Sequence, residues 1–194
     1  RVITDGVIPS LHIDYKGTRI KQYHKEGQAL RTETTINNTR DFYIGKSLHN
    51  RDKLQHVGFQ ANRRLPEVEK ISHDCILTEE QLQQLHHPRQ VGQQRVSALR
   101  FGDQRIQALW HAVLICDLLP TSFSNCQLRA RLAPLLDILP DDLTPGKMTY
   151  QLRRLRLHGL IERIPHIHRY RLTSIGLRVT LFFARTYDRV LRAG

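Results

Sequence analysis

The stretch TPGKMTYQLRRLRLHGLIERIPHIHRYRLT, residues 144–173, decides how this chain reads. Thr144 can cap a helix, and Pro145 suits the first helical position, where its missing N–H would be unpaired anyway. Met148, Leu152 and Leu155 then recur at helical spacing, and Gly159 stands where helices end. Two short strands follow, Leu160 to Ile164 and Arg169 to Thr173, joined through Pro165, His166, Ile167 and His168. Opposite the apolar stripe the helix carries Lys147, Tyr150, Gln151, Arg153 and Arg154. Leu157 shares that outer side by helical angle, so it must pack on the hairpin, on the last helix or on a partner.

Upstream, two more helices are expected. Asp103 caps one that carries Ile106, Leu109, Trp110, Val113 and Leu114 inward and ends before Pro120. Ser124 or Asn125 caps another, with Leu128, Leu132 and Leu135 inward, broken by Pro140-Asp141-Asp142. A final helix runs from Ser174 to about Leu191, with Phe182, Phe183 and Tyr187 in its apolar stripe as core or dimer contacts. Three helices, a β-hairpin and a closing helix form the order of a winged helix-turn-helix, whose third helix enters the major groove of DNA.

The charge distribution agrees. The formal net charge is +12, and seven basic residues face Glu162 alone between Leu143 and Arg171. Half of the whole surplus thus lies in 29 residues. A basic surplus favours a polyanion, because each cation placed on a phosphate releases a condensed counterion. Lys147, Tyr150 and Gln151 occupy the N-terminal half of the helix, where base edges are reached. Arg153, Arg154 and Arg156 follow, with phosphate contacts expected, and His166, His168 and Arg169 occupy the hairpin tip. The expected partner is double-stranded DNA.

The run from Tyr150 to Arg163, followed by Arg169-Tyr-Arg-Leu-Thr173 and Gly176, resembles the recognition helix and wing of MarR-like winged-helix regulators, in the pattern L-x-x-x-G-L-I-x-R then Y-x-L-T-x-x-G. The resemblance implies a DNA-binding, transcription-regulating role. The N-terminal dimerisation helix of those regulators has no counterpart, so a homodimer would need the last helix or the first domain.

Residues 10–36 read as β structure. Leu11, Ile13 and Tyr15 alternate with polar neighbours; Lys16-Gly17 turns the chain; Thr18 to Tyr23 alternates again; Glu26-Gly27 makes a second turn before Ala29 to Ile36. Asn37-Asn38 closes a three-stranded antiparallel meander. A helix from Asp52 to about Ile71 buries Leu54, Val57, Ala61, Leu65 and Val68, turns Arg63 and Arg64 outward, and should kink or split at Pro66. Thr78 caps a short helix that His86-His87-Pro88 stops. Residues 88–102 lack periodicity. The expected fold is therefore α+β: an α+β domain over 1–88 built on a small antiparallel sheet with helices, a linker over 89–102, and a winged helix-turn-helix over 103–194. The motifs Ile20-Lys-Gln-Tyr-His-Lys25 and Leu30-Arg-Thr-Glu-Thr-Thr-Ile-Asn37, with Asp41-Phe42 and Ala61-Asn-Arg-Arg64, are similar to a family of uncharacterised bacterial proteins in which such a β domain precedes a winged-helix end.

The outer face of this sheet is a second candidate site. Lys21, Tyr23, Lys25, Arg31, Glu33 and Asn37 could bind phosphate, or Glu33 with Asp14 or His12 could hold Mg²⁺ in a nuclease-like centre. Cross-strand ion pairs on a solvated face explain the same pattern and are the ordinary case. His86 and His87, adjacent on a helix, do not share a face, so no metal site is expected there and no cofactor is implied. Cys75, Cys116 and Cys126 form no CxxC pair, which favours buried thiols in a reducing cytoplasm. No apolar run reaches the ~20 residues of a membrane span, and nothing at the start reads as a signal peptide. Opening at Arg1, with Met148 its only methionine, the chain is expected to be the C-terminal part of a longer protein. Beside the regulatory reading stand two others: a nucleic-acid-processing enzyme of a mobile element, such as a replication initiator or nuclease, and a protein-docking winged helix.

Overall fold

Alternating residues in the first forty positions do form an antiparallel sheet. The structure, a computed structural model, describes residues 2–3, 10–25, 29–73, 76–117 and 122–190. Strands β1 (Val2–Ile3), β2 (Ser10–Tyr15), β3 (Thr18–Lys25) and β4 (Ala29–Ile36) pair in sequence order, one strand more than the alternation predicts. Ile13 faces Ile20, and Ile20 faces Thr34. Lys16, at φ +50°, closes the β2–β3 turn with Gly17. The Glu26-Gly27 turn lies outside the described residues.

One face of the sheet is covered by α1 (Arg51–His73): Ile20 packs with Ala61 and Leu65, and Leu11 and Ile13 lie against that cluster. Thr34 Oγ1 donates to Asn62 Oδ1 at 2.8 Å, pinning the strand to the helix. Pro66 does not split α1, and its ring is exposed. The described residues divide into two compact units just after it, those up to Glu67 and those from Val68 onward.

The second unit begins with α2 (Glu79–His86), which Thr78 and Gln81 close with a capping box. The segment 89–102, expected as a linker, is folded. It contains a hairpin, β5 (Arg89–Val91) and β6 (Gln94–Val96), turned at Gly92, and it buries Val96 and Leu99. Leu99 N–H donates to Leu85 O at 2.7 Å. A three-residue strand is too short to show periodicity, which is why it reads as irregular.

Helices α3 (Gln104–Asp117), α4 (Asn125–Leu135) and α5 (Pro145–Leu157) start where the sequence places caps. Arg105 N–H donates to Asp103, Ser124 and Gln127 form a second capping box, and Thr144 accepts from Lys147 N–H. Trp110 stacks on Phe183 of α6 (Ser174–Val190) with ring centroids 5.7 Å apart. Leu128, Leu132, Met148, Leu152 and Leu155 complete the core between the helices.

Gly159, at φ +74°, ends α5 in the conformation glycine tolerates best. The strands β7 (Ile161–Arg163) and β8 (Tyr170–Leu172) follow, and Phe123, between α3 and α4, exchanges both backbone hydrogen bonds with Tyr170 to extend this hairpin. Gly176 in α6 sits directly against the chain after α5: a Cβ there would lie 1.8 Å from Leu160 O. The architecture is mixed α and β, with small antiparallel sheets. Among the described residues no helix is long and apolar enough to cross a membrane.

Candidate functional site

On α5 the apolar stripe is fully committed: Met148, Leu152 and Leu155 are buried. Lys147, Tyr150, Arg153 and Arg156 are exposed, and no residue of α5 is acidic. None of Lys147, Arg153 and Arg156 enters an ion pair among the described residues. Lys147 Nζ donates to the backbone carbonyl of Asp142 at 3.3 Å. Thr149, also exposed, donates to Pro145 O and accepts from Asn125 Nδ2, tying α4 to the start of α5.

Arg154 departs from the outward position that helical angle predicts. It is 8% exposed; its guanidinium donates to Ala98 O at 2.5 Å and to Gln151 Oε1 at 2.9 Å. Burial lowers its pKa, with Tyr150 and Asp103 acting in the other direction. Gln151 is half-buried and spends its carbonyl on this arginine.

His158, buried at the helix end, donates from Nε2 to Ser97 O at 3.0 Å, and Tyr150 OH bonds Ser97 Oγ at 3.0 Å. Burial pushes the His158 pKa down, and the neighbouring Arg154 and Arg89 push the same way. Tyr150, Arg154 and His158 stand four residues apart, on one stripe of the helix. That stripe binds residues 97–98. Leu157, without an obvious partner in the sequence, is half-buried there and borders one shallow depression with Arg95, Val96 and Tyr150.

At the hairpin the expected residues divide again. His166 and His168 are exposed at the tip, and His166 adopts φ +62°. Arg163 donates to His168 Nδ1 at 2.8 Å. Arg169 turns inward: its guanidinium bonds the backbone carbonyl and hydroxyl of Ser122 and reaches Gln127 Oε1 at 3.2 Å. It therefore fastens the hairpin to the start of α4. Glu162, the lone acid of the region, faces Arg171 across the hairpin and pairs with it at 2.5 Å.

The outer sheet face in the first unit has a different economy. Arg19 bonds Asp14 at 2.6 Å, Arg31 bonds Glu33 at 2.8 Å, and Tyr23 OH donates to Glu33 at 3.0 Å, while Lys21 lies over the Tyr23 ring. The Glu33 hydrogen bond raises the Tyr23 pKa, and Arg19 lowers that of Asp14. Lys25 and Asn37 are exposed at the ends of β3 and β4. Among the described residues no three His, Cys, Asp or Glu come together as a metal site. Cys116 is buried, which pushes its thiol up to about 12, and Cys126 is exposed and unbridged.

The sequence reading missed residues 89–98 as part of this region. Two signals were present: no acidic residue occurs from Gln81 to Gly102, and Gly92 sits between short stretches of matching length. Comparison with family models, with curated proteins and with solved structures gives no match for this chain.

Proposed function

We propose that α3, α4, α5 and the β7–β8 hairpin form a winged helix-turn-helix that binds double-stranded DNA, in a regulatory or targeting role. The observation that carries this reading is the outer face of α5, where Lys147, Arg153 and Arg156 stand exposed beside Thr149 and Tyr150 and enter no ion pair among the described residues. Cations with no carboxylate to satisfy them are the groups that exchange counterions for phosphates. The element order supports the reading too: a helix, the paired residue Phe123, two helices, then a two-stranded hairpin.

In this arrangement Lys147 and Tyr150, near the N-terminus of α5, meet base edges, and Arg153 and Arg156 meet phosphates. The exposed His166 and His168 lie along the neighbouring backbone. Arg154 and Arg169 act differently from their neighbours: they hold the platform rather than touch the duplex.

The test is fluorescence anisotropy of the chain with a mixed-sequence duplex over a salt series. The expected result is binding that weakens steeply with salt, and a log–log slope smaller by about 2–3 when Lys147, Arg153 and Arg156 are replaced together by Ala. Absence of duplex binding at low salt, or binding indifferent to the triple replacement, overturns the reading.

A further inference from the structure

We infer that the β5–β6 hairpin is a second duplex-contacting arm, placing Arg89 and Arg95 on the phosphate backbone beside the groove that α5 enters. The inference rests on the DNA-binding reading of α5 and extends it to a segment that has no part in the three-helix core.

Four observations carry it. The hairpin presents Arg89, Gln90, Gln93, Gln94 and Arg95 to solvent, with Arg95 and Gln90 on one side of the ribbon and Arg89 at the margin of the other, where Val96 points into the core, so a backbone running along the ribbon can meet both arginines. No acidic residue lies between Gln81 and Gly102, and neither Arg89 nor Arg95 enters an ion pair among the described residues. The two residues that follow β6 fix its end to α5: Ser97 Oγ to Tyr150 OH at 3.0 Å, Ala98 O to Arg154 at 2.5 Å and Ser97 O to His158 at 3.0 Å follow one another along a single helix stripe. Arg95, on β6, and the exposed Arg153, on α5, border the same depression. A duplex contacting Arg153 is therefore within reach of Arg95.

The chemistry fits a phosphate backbone better than a protein partner. The exposed side chains are guanidinium and carboxamide groups, which donate to phosphate oxygens and base edges. Apolar anchors of the kind that dominate protein interfaces are missing from the hairpin's exposed positions. Gly92 makes the turn, and nothing lies within 4 Å of where its Cβ would be, so the tip is unobstructed. A two-stranded ribbon is also narrow enough to lie along a groove.

This accounts for the polar interior of the contact. Burying Arg154 costs desolvation, and a methionine would fill the same space; the guanidinium instead fixes residues 97–98 in register with α5. Rigid attachment means that little ordering accompanies binding, which favours affinity.

The experiment compares the full chain with Arg89→Ala/Arg95→Ala and Arg89→Glu/Arg95→Glu variants, titrated into a fluorescein-labelled mixed-sequence duplex of about two helical turns. All five exposed hairpin positions lie outside the core, so thermal melting should match the parent and serves as the folding control. The expected result is a salt slope lower by about 2 for the Ala pair, roughly one for each phosphate left unneutralised, with affinity down roughly tenfold and further for the Glu pair. Parent-like slope and affinity in both pairs, while replacement of Lys147, Arg153 and Arg156 still weakens binding, overturns the second arm and leaves the α5 reading intact. Failure of the parent chain itself to bind duplex overturns both.

Discussion

The outer face of the β-sheet and the outer face of α5 look alike in the sequence, each a mixture of lysine, arginine and tyrosine, yet they are built on opposite principles. On the sheet each carboxylate has an arginine: Asp14 with Arg19, Glu33 with Arg31, and Tyr23 also donates to Glu33. On α5 no residue is acidic, and Lys147, Arg153 and Arg156 have no ion pair among the described residues. Asp14 and Arg19 face each other on neighbouring strands, and Arg31 and Glu33 lie two residues apart on one side of β4, so both carboxylates of this face are held in local pairs, although Lys21 and Lys25 leave it a basic surplus. A basic helix with no carboxylates at three- or four-residue spacing forms no such pairs. What separates a solvated surface from a binding face is thus the local pairing of charge within it, more than the amount.

The comparison depends on α5 being held by its own unit, and Gly176 is the place to break that. Any side chain at 176 meets Leu160 O, 1.8 Å from the ideal Cβ, and backbone cannot step aside as a flexible side chain would. Gly176→Ala should destabilise the second unit by about 3 kcal/mol. Hydrogen exchange should show α5, β7 and α6 losing protection while β3 and β4 keep theirs. Equal loss in both places would mean that the two units do not unfold separately.

Next in size is the contrast between adjacent arginines. Arg154→Met leaves Ala98 O without its donor and should cost about 1–3 kcal/mol in chemical denaturation. Arg153→Ala, on an exposed position, should change stability by no more than about 0.5 kcal/mol and act on duplex affinity instead. The reversed pattern would exchange the roles assigned to the two residues.

That pair also marks how far sequence reasoning reached. Thr78, Ser124, Thr144 and Gly159 were legible because caps and stops depend on residues a turn away. The strand alternation and the stripe Met148, Leu152, Leu155 were legible for the same reason. Arg153 and Arg154 both lie outside that stripe, and what distinguishes them is Ala98, 56 residues earlier in the chain. Arg169 likewise turns inward for Ser122, 47 residues away. Side chains that bind distant backbone carry no periodic signature. The β5–β6 hairpin was hidden by its short strands, and with it the depression that Leu157 borders.

A smaller effect follows from His158. Its pKa is below the ordinary 6.5, with burial the main cause. Between that lowered value and 6.5 the unfolded chain holds a proton that the folded chain does not, so stability rises with pH there. Burial of the neutral ring should therefore be fully favourable above about pH 6.5 and become costly as the pH falls below it, opposed by the Ser97 hydrogen bond, which favours the charged form. His158→Gln should flatten this part of the stability profile. An unchanged profile would assign the acid sensitivity to other groups.

The least disruptive change tests the sheet half of the comparison. Glu33→Gln removes the negative charge that Arg31 and Tyr23 share, on a face where both partners can turn to water. Exposed pairs of this kind contribute little, because two long side chains give up rotamer freedom for a screened attraction. Stability should barely move, and duplex binding should be unaltered, since the residue lies outside the unit that carries α5. One local reporter should respond. The Tyr23 phenol is held above its ordinary pKa chiefly by its hydrogen bond to Glu33, so the variant should lower that pKa, read by NMR of ¹³C-labelled tyrosine. A shift in Tyr23 with no loss of binding is the behaviour of a face whose carboxylates serve local pairs. If Glu33→Gln instead abolished binding or a Mg²⁺-dependent nicking of plasmid DNA, the sheet would have to be counted as a site, and charge pairing would no longer distinguish the two faces.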